Sequence, residues 1–134
     1  MKLIVGEKKT LSKTIHQEDV MKFIELSGDD NPIHYDEEYA KNTVFGKRIA
    51  HGMLVASYIS AAIGANYNGA IYMGQNLSFR KPVYLEDTVT VIIEVNEVIR
   101  EDKGIYGLKT TVINQNDEAV IEGNATIKYQ KESN

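Results

Sequence analysis

Cysteine is absent from this chain. Disulfides, thiolate nucleophiles and cysteine-bound metals are therefore excluded, and the composition suits a reducing compartment. Tryptophan is absent as well, and there are only two prolines, Pro32 and Pro82. Long hydrophobic runs are also missing. Leu3-Ile4-Val5 is too short for the apolar core of a signal peptide. The most apolar stretch, Met53 to Ala65, contains Ser57 and Ser60 and falls well short of a membrane span. A soluble, cytoplasmic protein is expected. Positive charge is not in excess: the formal net charge is -4, which argues against a general nucleic-acid or polyanion surface. The tyrosines are scattered and do not form a base-stacking module.

What remains is enough for one core. The 134 residues are 43% hydrophobic, and no repeat or linker divides them, so residues 1–134 are expected to form a single domain. Thr10 to His16 suits a short strand. Residues 17 to 27 suit a helix, with Val20, Phe23 and Ile24 on one face. His16 is a weak cap, and Asp19 favours the positive first turn. Asn31 precedes Pro32 and is biased out of the helical region, so Asp29 to His34 reads as a loop. Asp36 to Lys41 suits a short helix. A longer helix is expected from about His51 to Asn66, apolar on nearly every side and therefore interior. After Gly69 the period changes to two. Strands are expected over Ile71–Phe79, around Val89–Val95, over Ile105–Ile113 and over Ala119–Tyr129, with turns at Asp102–Gly104 and Asn114–Asp117. Gln130–Asn134 reads as a solvated tail. The fold class is α+β. A buried helix needs cover on all sides, so a curved antiparallel sheet wrapped around a long central helix is expected, completed by a second subunit.

Two elements carry chemistry. Leu26-Ser-Gly-Asp-Asp-Asn-Pro-Ile-His-Tyr-Asp36 places Asp29 and His34 five residues apart in a run that packing does not require. His51-Gly52-Met53 then opens the long helix. An acid/base pair with a glycine at a helix mouth is sufficient for chemistry on a carbonyl compound. Taken singly, the same residues have plain readings. Asp29-Asp30-Asn31-Pro32 suits a turn, and a lone His34 suits a surface or packing role. His51 reads as structural, hydrogen-bonding near the helix start. No local ligand spacing supports zinc bound by His16, His34 and His51, so no metal is expected. Ser57 and Ser60 lack a nucleophile-elbow context. Leu54, Ile59 and Ile63 read as core.

Taken together, the segments resemble one family. Phe23-Ile-Glu-Leu-Ser-Gly-Asp-Asp-Asn-Pro-Ile-His34, His51-Gly-Met-Leu-Val-Ala-Ser57 and Tyr72-Met-Gly-Gln-Asn-Leu-Ser-Phe-Arg-Lys-Pro-Val83 resemble, in order, the signatures of MaoC-like (R)-specific enoyl-CoA hydratases of the hydratase 2 type. The resemblance covers nearly the whole chain. It implies a hotdog fold, a homodimer, and an acyl-CoA substrate with no separate cofactor. It implies Asp29 and His34 as the catalytic pair and Asn31 as the active-site asparagine. It implies Gly52 as the backbone donor to the thioester carbonyl and Ser60 as a polar pocket residue. Family register favours Asp29 over Asp30. Arg80-Lys81 suits either coenzyme A phosphates or a solvated strand end.

The implied reaction makes physical sense. Water adds poorly to an isolated alkene. Conjugation to a thioester makes the β-carbon electrophilic, provided enolate charge on the carbonyl oxygen is stabilised. An Asp/His pair can deprotonate water and then protonate the α-carbon. The expected activity is reversible hydration of trans-2-enoyl-CoA to (3R)-3-hydroxyacyl-CoA. The alternatives are a (3R)-hydroxyacyl carrier-protein dehydratase and a non-catalytic acyl-thioester binding module. A thioesterase is a weaker rival.

Overall fold

The structure, a computed structural model, describes residues 2–130. Most of the expected tail, Lys131–Asn134, lies outside the described residues. In chain order the elements are β1 (Lys8–Thr14), α1 (Gln17–Ser27), a 3-10 turn (Pro32–His34), α2 (Glu37–Lys41), α3 (Gly52–Asn66), β2 (Ile71–Phe79), β3 (Thr88–Arg100), β4 (Ile105–Ile113) and β5 (Ala119–Lys128).

The strands form one antiparallel sheet in the order β1-β3-β4-β5-β2. Alternation produces its buried face. In β3, Val89, Val91, Ile93 and Val95 point one way and are fully buried. The register lays Val91 against Val112, Val95 against Leu108, Leu108 against Ala125, and Val112 against Ile121. One-residue slips would turn this set to solvent, so the apolar pattern itself fixes the pairing. Thr110 is the polar member of the buried face, and its hydroxyl accepts a 2.9 Å hydrogen bond from Gln75.

Helix α3 lies on that face. Val55, Ile59, Ala62 and Ile63 join the strand residues in one apolar cluster. The opposite side of the helix, with Met53, Ser57, Ser60 and Ala61, is exposed. This corrects the expectation of a wrapped hotdog arrangement. The α+β class and the antiparallel sheet are as expected, but the sheet does not close around the helix. β1 and β2 are its opposite edges and do not pair with each other. The small residues that make α3 look apolar all round on paper are in part the residues it leaves open. β3 also runs to Arg100, beyond the expected Val95. Register shifts between Val95 and Glu97 and between Val98 and Arg100 break its alternation there.

The long segment between α1 and α3 crosses one end of this layer and is tied to it by main-chain bonds. Ile49 N–H donates to the Ile33 carbonyl at 3.3 Å, and Ala50 N–H donates to the Val83 carbonyl at 2.7 Å. These bonds bring the 3-10 turn, the start of α3 and the β2–β3 connection together.

One-sided packing of α3 makes Ile59 a keystone. Ile59→Ala should lower the unfolding free energy by about 2–5 kcal/mol in urea titration. A loss well below 1 kcal/mol would contradict the packing described.

Candidate active site

The site is built where those ties converge. Helix α1 ends at Gly28, whose φ of 80° is left-handed and whose N–H closes on the Ile24 carbonyl at 2.8 Å. Glycine takes that conformation without steric cost, and the chain turns sharply out of the helix. Asn31 then caps the 3-10 turn: its side-chain oxygen accepts from Ile33 N–H at 3.3 Å, and Pro32 follows at the first helical position. Asp29 is thereby held before the turn and His34 at its end.

His34 is 8% exposed. Its Nδ1 lies 2.8 Å from the Ile49 carbonyl oxygen. A carbonyl only accepts, so Nδ1 carries the proton and Nε2 keeps its lone pair. His51 stacks on this ring, with centroids 3.7 Å apart and planes 27° apart. The Nε2 of His51 is 2.9 Å from the Asp29 carbonyl oxygen and is its donor by the same logic. Burial holds the His51 pKa below its ordinary value; the Asp29 carbonyl opposes this and the neighbouring His34 reinforces it. One side-chain nitrogen or oxygen from each of Asp29, His34 and His51 lies within 4.8 Å of the others. That spacing is wide enough to admit a cation. Nδ1 of His34 and Nε2 of His51 already face carbonyl oxygens, however, and Nδ1 of His51 is buried, so the cluster offers fewer open nitrogens than a tetrahedral metal site draws on. His16 is elsewhere, with Nδ1 3.3 Å from Glu86.

Asp29, His34, His51 and Gly52 line one cavity of about 560 Å³, with Phe45, Ile49, Phe79, Pro82, Val83 and Ile121 among its apolar walls. Gly52 is the first residue of α3, where the amide has no partner within the helix. A Cβ at this position would lie 2.7 Å from the Phe79 ring. The Phe79 ring thus occupies the space that a side chain at position 52 would need. Arg80 and Lys81 line the same cavity, each paired to a glutamate, Glu122 and Glu118. Both pairs are exposed and so contribute little to stability, which leaves the cations available to an anionic ligand.

Other expected site residues lie apart. Asp30 and Asn31 are exposed, do not line this cavity, and Asn31 is occupied as a cap. Ser60 lines a second recess on the open side of α3, with Met53, Ser57, Tyr72, Met73 and Gln75. Met53 borders both spaces. His51, read from sequence as structural, sits inside the cluster. Only its proximity to Gly52 pointed there, because its contacts to Asp29 and His34 cross a long loop.

This arrangement can hold a water between a carboxylate and an imidazole lone pair. It can place a carbonyl oxygen at a helix amino terminus, in a largely apolar space where such donors act strongly.

Comparison with known proteins shows the family to which the chain belongs. Residues 4–116 match the MaoC like domain family. An (R)-specific enoyl-CoA hydratase of Rhodospirillum rubrum is 44% identical over 124 residues, spanning 91% of this chain and 85% of that protein. A mitochondrial 3-hydroxyacyl-[acyl-carrier-protein] dehydratase of Arabidopsis thaliana is 37% identical over 127 residues, spanning 92% of this chain and 76% of that one. The solved structure of an R-hydratase from Pseudomonas aeruginosa, in unliganded form, superposes with a TM-score of 0.92. It is 42% identical, and the match covers 97% of this chain and 84% of that one.

Proposed function

The chain belongs to the MaoC like domain family, and from that premise we propose that it reversibly hydrates trans-2-enoyl-CoA to (3R)-3-hydroxyacyl-CoA. The observation that carries this reading is the convergence of Asp29, His34 and the Gly52 amide on one apolar cavity. Water is held between the Asp29 carboxylate and the Nε2 of His34. As the pair removes its proton, the water oxygen bonds to the β-carbon and the alkene electrons move through the α-carbon to the thioester oxygen. The Gly52 N–H, aligned with the positive end of α3, receives that charge. The enolate then collapses as the α-carbon takes a proton from the pair, which returns to its starting state. Asn31 supports the pair indirectly by shaping the turn, and Ser60 belongs to the recess that receives the acyl tail. Arg80 and Lys81 at the cavity meet the coenzyme A phosphates. No further cofactor is required for this chemistry.

Residues 1–134 act as one such domain, in a homodimer. β2 is a nine-residue edge strand with most of both faces exposed, including Ile71, Met73 and Phe79. Its outer backbone edge has no partner among the described residues, which leaves it free to add a strand. Pairing of two β2 strands about a twofold axis would satisfy it and cover the open side of α3. Among the described residues no helix is long and apolar enough to cross a membrane. A cytoplasmic location suits the cysteine-free composition.

The protein mixed with short and medium trans-2-enoyl-CoA should consume the double bond and yield the 3R alcohol. Asp29→Asn and His34→Ala should each lower turnover by at least about 100-fold with the fold intact, while Asp30→Asn should stay near wild type. Near-normal turnover in both folded variants would reject the pair. Turnover only with carrier-protein thioesters would reassign the carrier. For the assembly, light scattering across the assay concentrations should give twice the chain mass, and a monomer throughout would reject the dimer.

A further inference from the structure

None of the proton-transfer steps above uses His51, yet it is the more buried of the two site histidines, 2% exposed against 8% for His34. A polar ring shut away from water is costly unless its nitrogens are bonded. Only one is. Nε2 donates to the Asp29 carbonyl, and Nδ1 is buried with no hydrogen-bond partner among the described residues. The faces of the ring meet His34 at 3.7 Å and Phe23 at 4.8 Å between centroids. A leucine would fill that space without an orphaned nitrogen. What an imidazole supplies there, and leucine cannot, is a flat face for His34 together with an N–H aimed at the main chain of Asp29.

That main chain needs a hold. Asp29 lies in an exposed loop, where its N–H donates to the Ser27 hydroxyl at 3.1 Å, and among the described residues its carboxylate accepts only a long 3.4 Å bond from Asn31 N–H, which leaves the carbonyl side of the residue to His51. His34 has one in-plane anchor, the Ile49 carbonyl, which fixes its rotation about the ring normal but not its tilt. A stacked partner fixes the tilt. His51 is also the residue immediately before Gly52 and the cap of α3, so its backbone leads directly into the amide at the helix start. The bonds of Ile49 to Ile33 and of Ala50 to Val83 pin this short stretch from both sides.

We propose that His51 is a positioning residue for hydration: one ring holds the Asp29 main chain and the plane of His34, and its backbone continues into the Gly52 amide. The acid/base end and the oxyanion end of the site are thereby kept at a fixed separation. This inference rests on the proposed hydration. His51 transfers no proton, since its Nε2–H is committed and its Nδ1 is enclosed.

His51→Gln, His51→Asn and His51→Ala test it. The glutamine amide nitrogen reaches about where Nε2 lies and keeps the bond to Asp29; the asparagine nitrogen stops near Nδ1 and loses it. Displacements of this kind in reacting groups cost roughly 100-fold in rate. Asparagine and alanine should therefore lower kcat by about that factor with KM within about threefold of wild type, and glutamine should recover at least about tenfold of the loss. Glutamine and asparagine equally impaired, or a folded asparagine variant with wild-type kcat, would overturn the inference. If asparagine and alanine fail to fold, a glutamine variant as slow as His34→Ala would overturn it. A readout independent of turnover comes from long-range proton–nitrogen NMR of the wild type above neutral pH. His51 should carry its proton on Nε2 and His34 on Nδ1; a proton on Nδ1 of His51 would overturn the inference. A wild type inactive on every enoyl thioester overturns the hydration reading, whereas an active wild type insensitive to the asparagine change overturns this inference alone.

Discussion

The 2.8 Å bond from His34 Nδ1 to the Ile49 carbonyl is the contact on which the rest of the site depends. It selects the tautomer, and so leaves Nε2 as the nitrogen with a free lone pair. It also joins two parts of the chain that lie apart in sequence: the turn after α1 and the approach to α3. The backbone bond between Ile49 and Ile33 reinforces the same junction. Once the junction is closed, Asp29, His51 and Gly52 fall within reach of one cavity. If it opened, the buried imidazoles would lose both their partners and their shelter, and the cost of burying unpaired polar groups would fall on the folded state.

The fold supports this junction by being one-sided. The buried face of the sheet holds α3 rigidly through Val55, Ile59 and Ile63, so the amino terminus of the helix is fixed relative to β2 and the Val83 carbonyl. The other side of α3 and the edge strand β2 stay open. Rigid packing on one side and an unfilled recess on the other separate two demands on the site. Proton transfer and charge stabilisation need fixed geometry, while a variable acyl tail needs room.

Much of this was legible from residues alone. Period-two alternation located β4 and β5 nearly to their ends, because those strands bury one face, and β2 was bounded by the turn residues on either side of it rather than by burial. The far end of β3 was not legible, since two register shifts remove the alternation that would announce it. The burial of α3 was overestimated. Ala61, Gly64 and Ala65 are apolar by composition, and a sequence does not say which small residues face a sheet and which face outward. From that overestimate came the expectation of a curved sheet wrapped around the helix. At the site, Asp29, His34 and Gly52 were picked out by motif resemblance and do share a cavity. Asn31 and Ser60 were picked out the same way and lie outside it, one spent on a cap and one in the neighbouring recess. His51 was read as hydrogen-bonding near the helix start, and its bond to the Asp29 carbonyl matches that; its stack on His34 was not legible, because stacking between residues far apart in sequence leaves no local signal.

The central claim is that chemistry occurs between the Asp29–His34 pair and the Gly52 amide, with charge developing on the thioester oxygen. A structure of the complex with an unreactive acyl-CoA analogue tests this most directly. The thioester oxygen should lie roughly 2.7–3.1 Å from the Gly52 nitrogen, with the β-carbon facing Asp29 and His34 and room for one water between them. A clearly ordered acyl group whose thioester oxygen sits away from Gly52, or whose β-carbon points away from the pair, would contradict the claim.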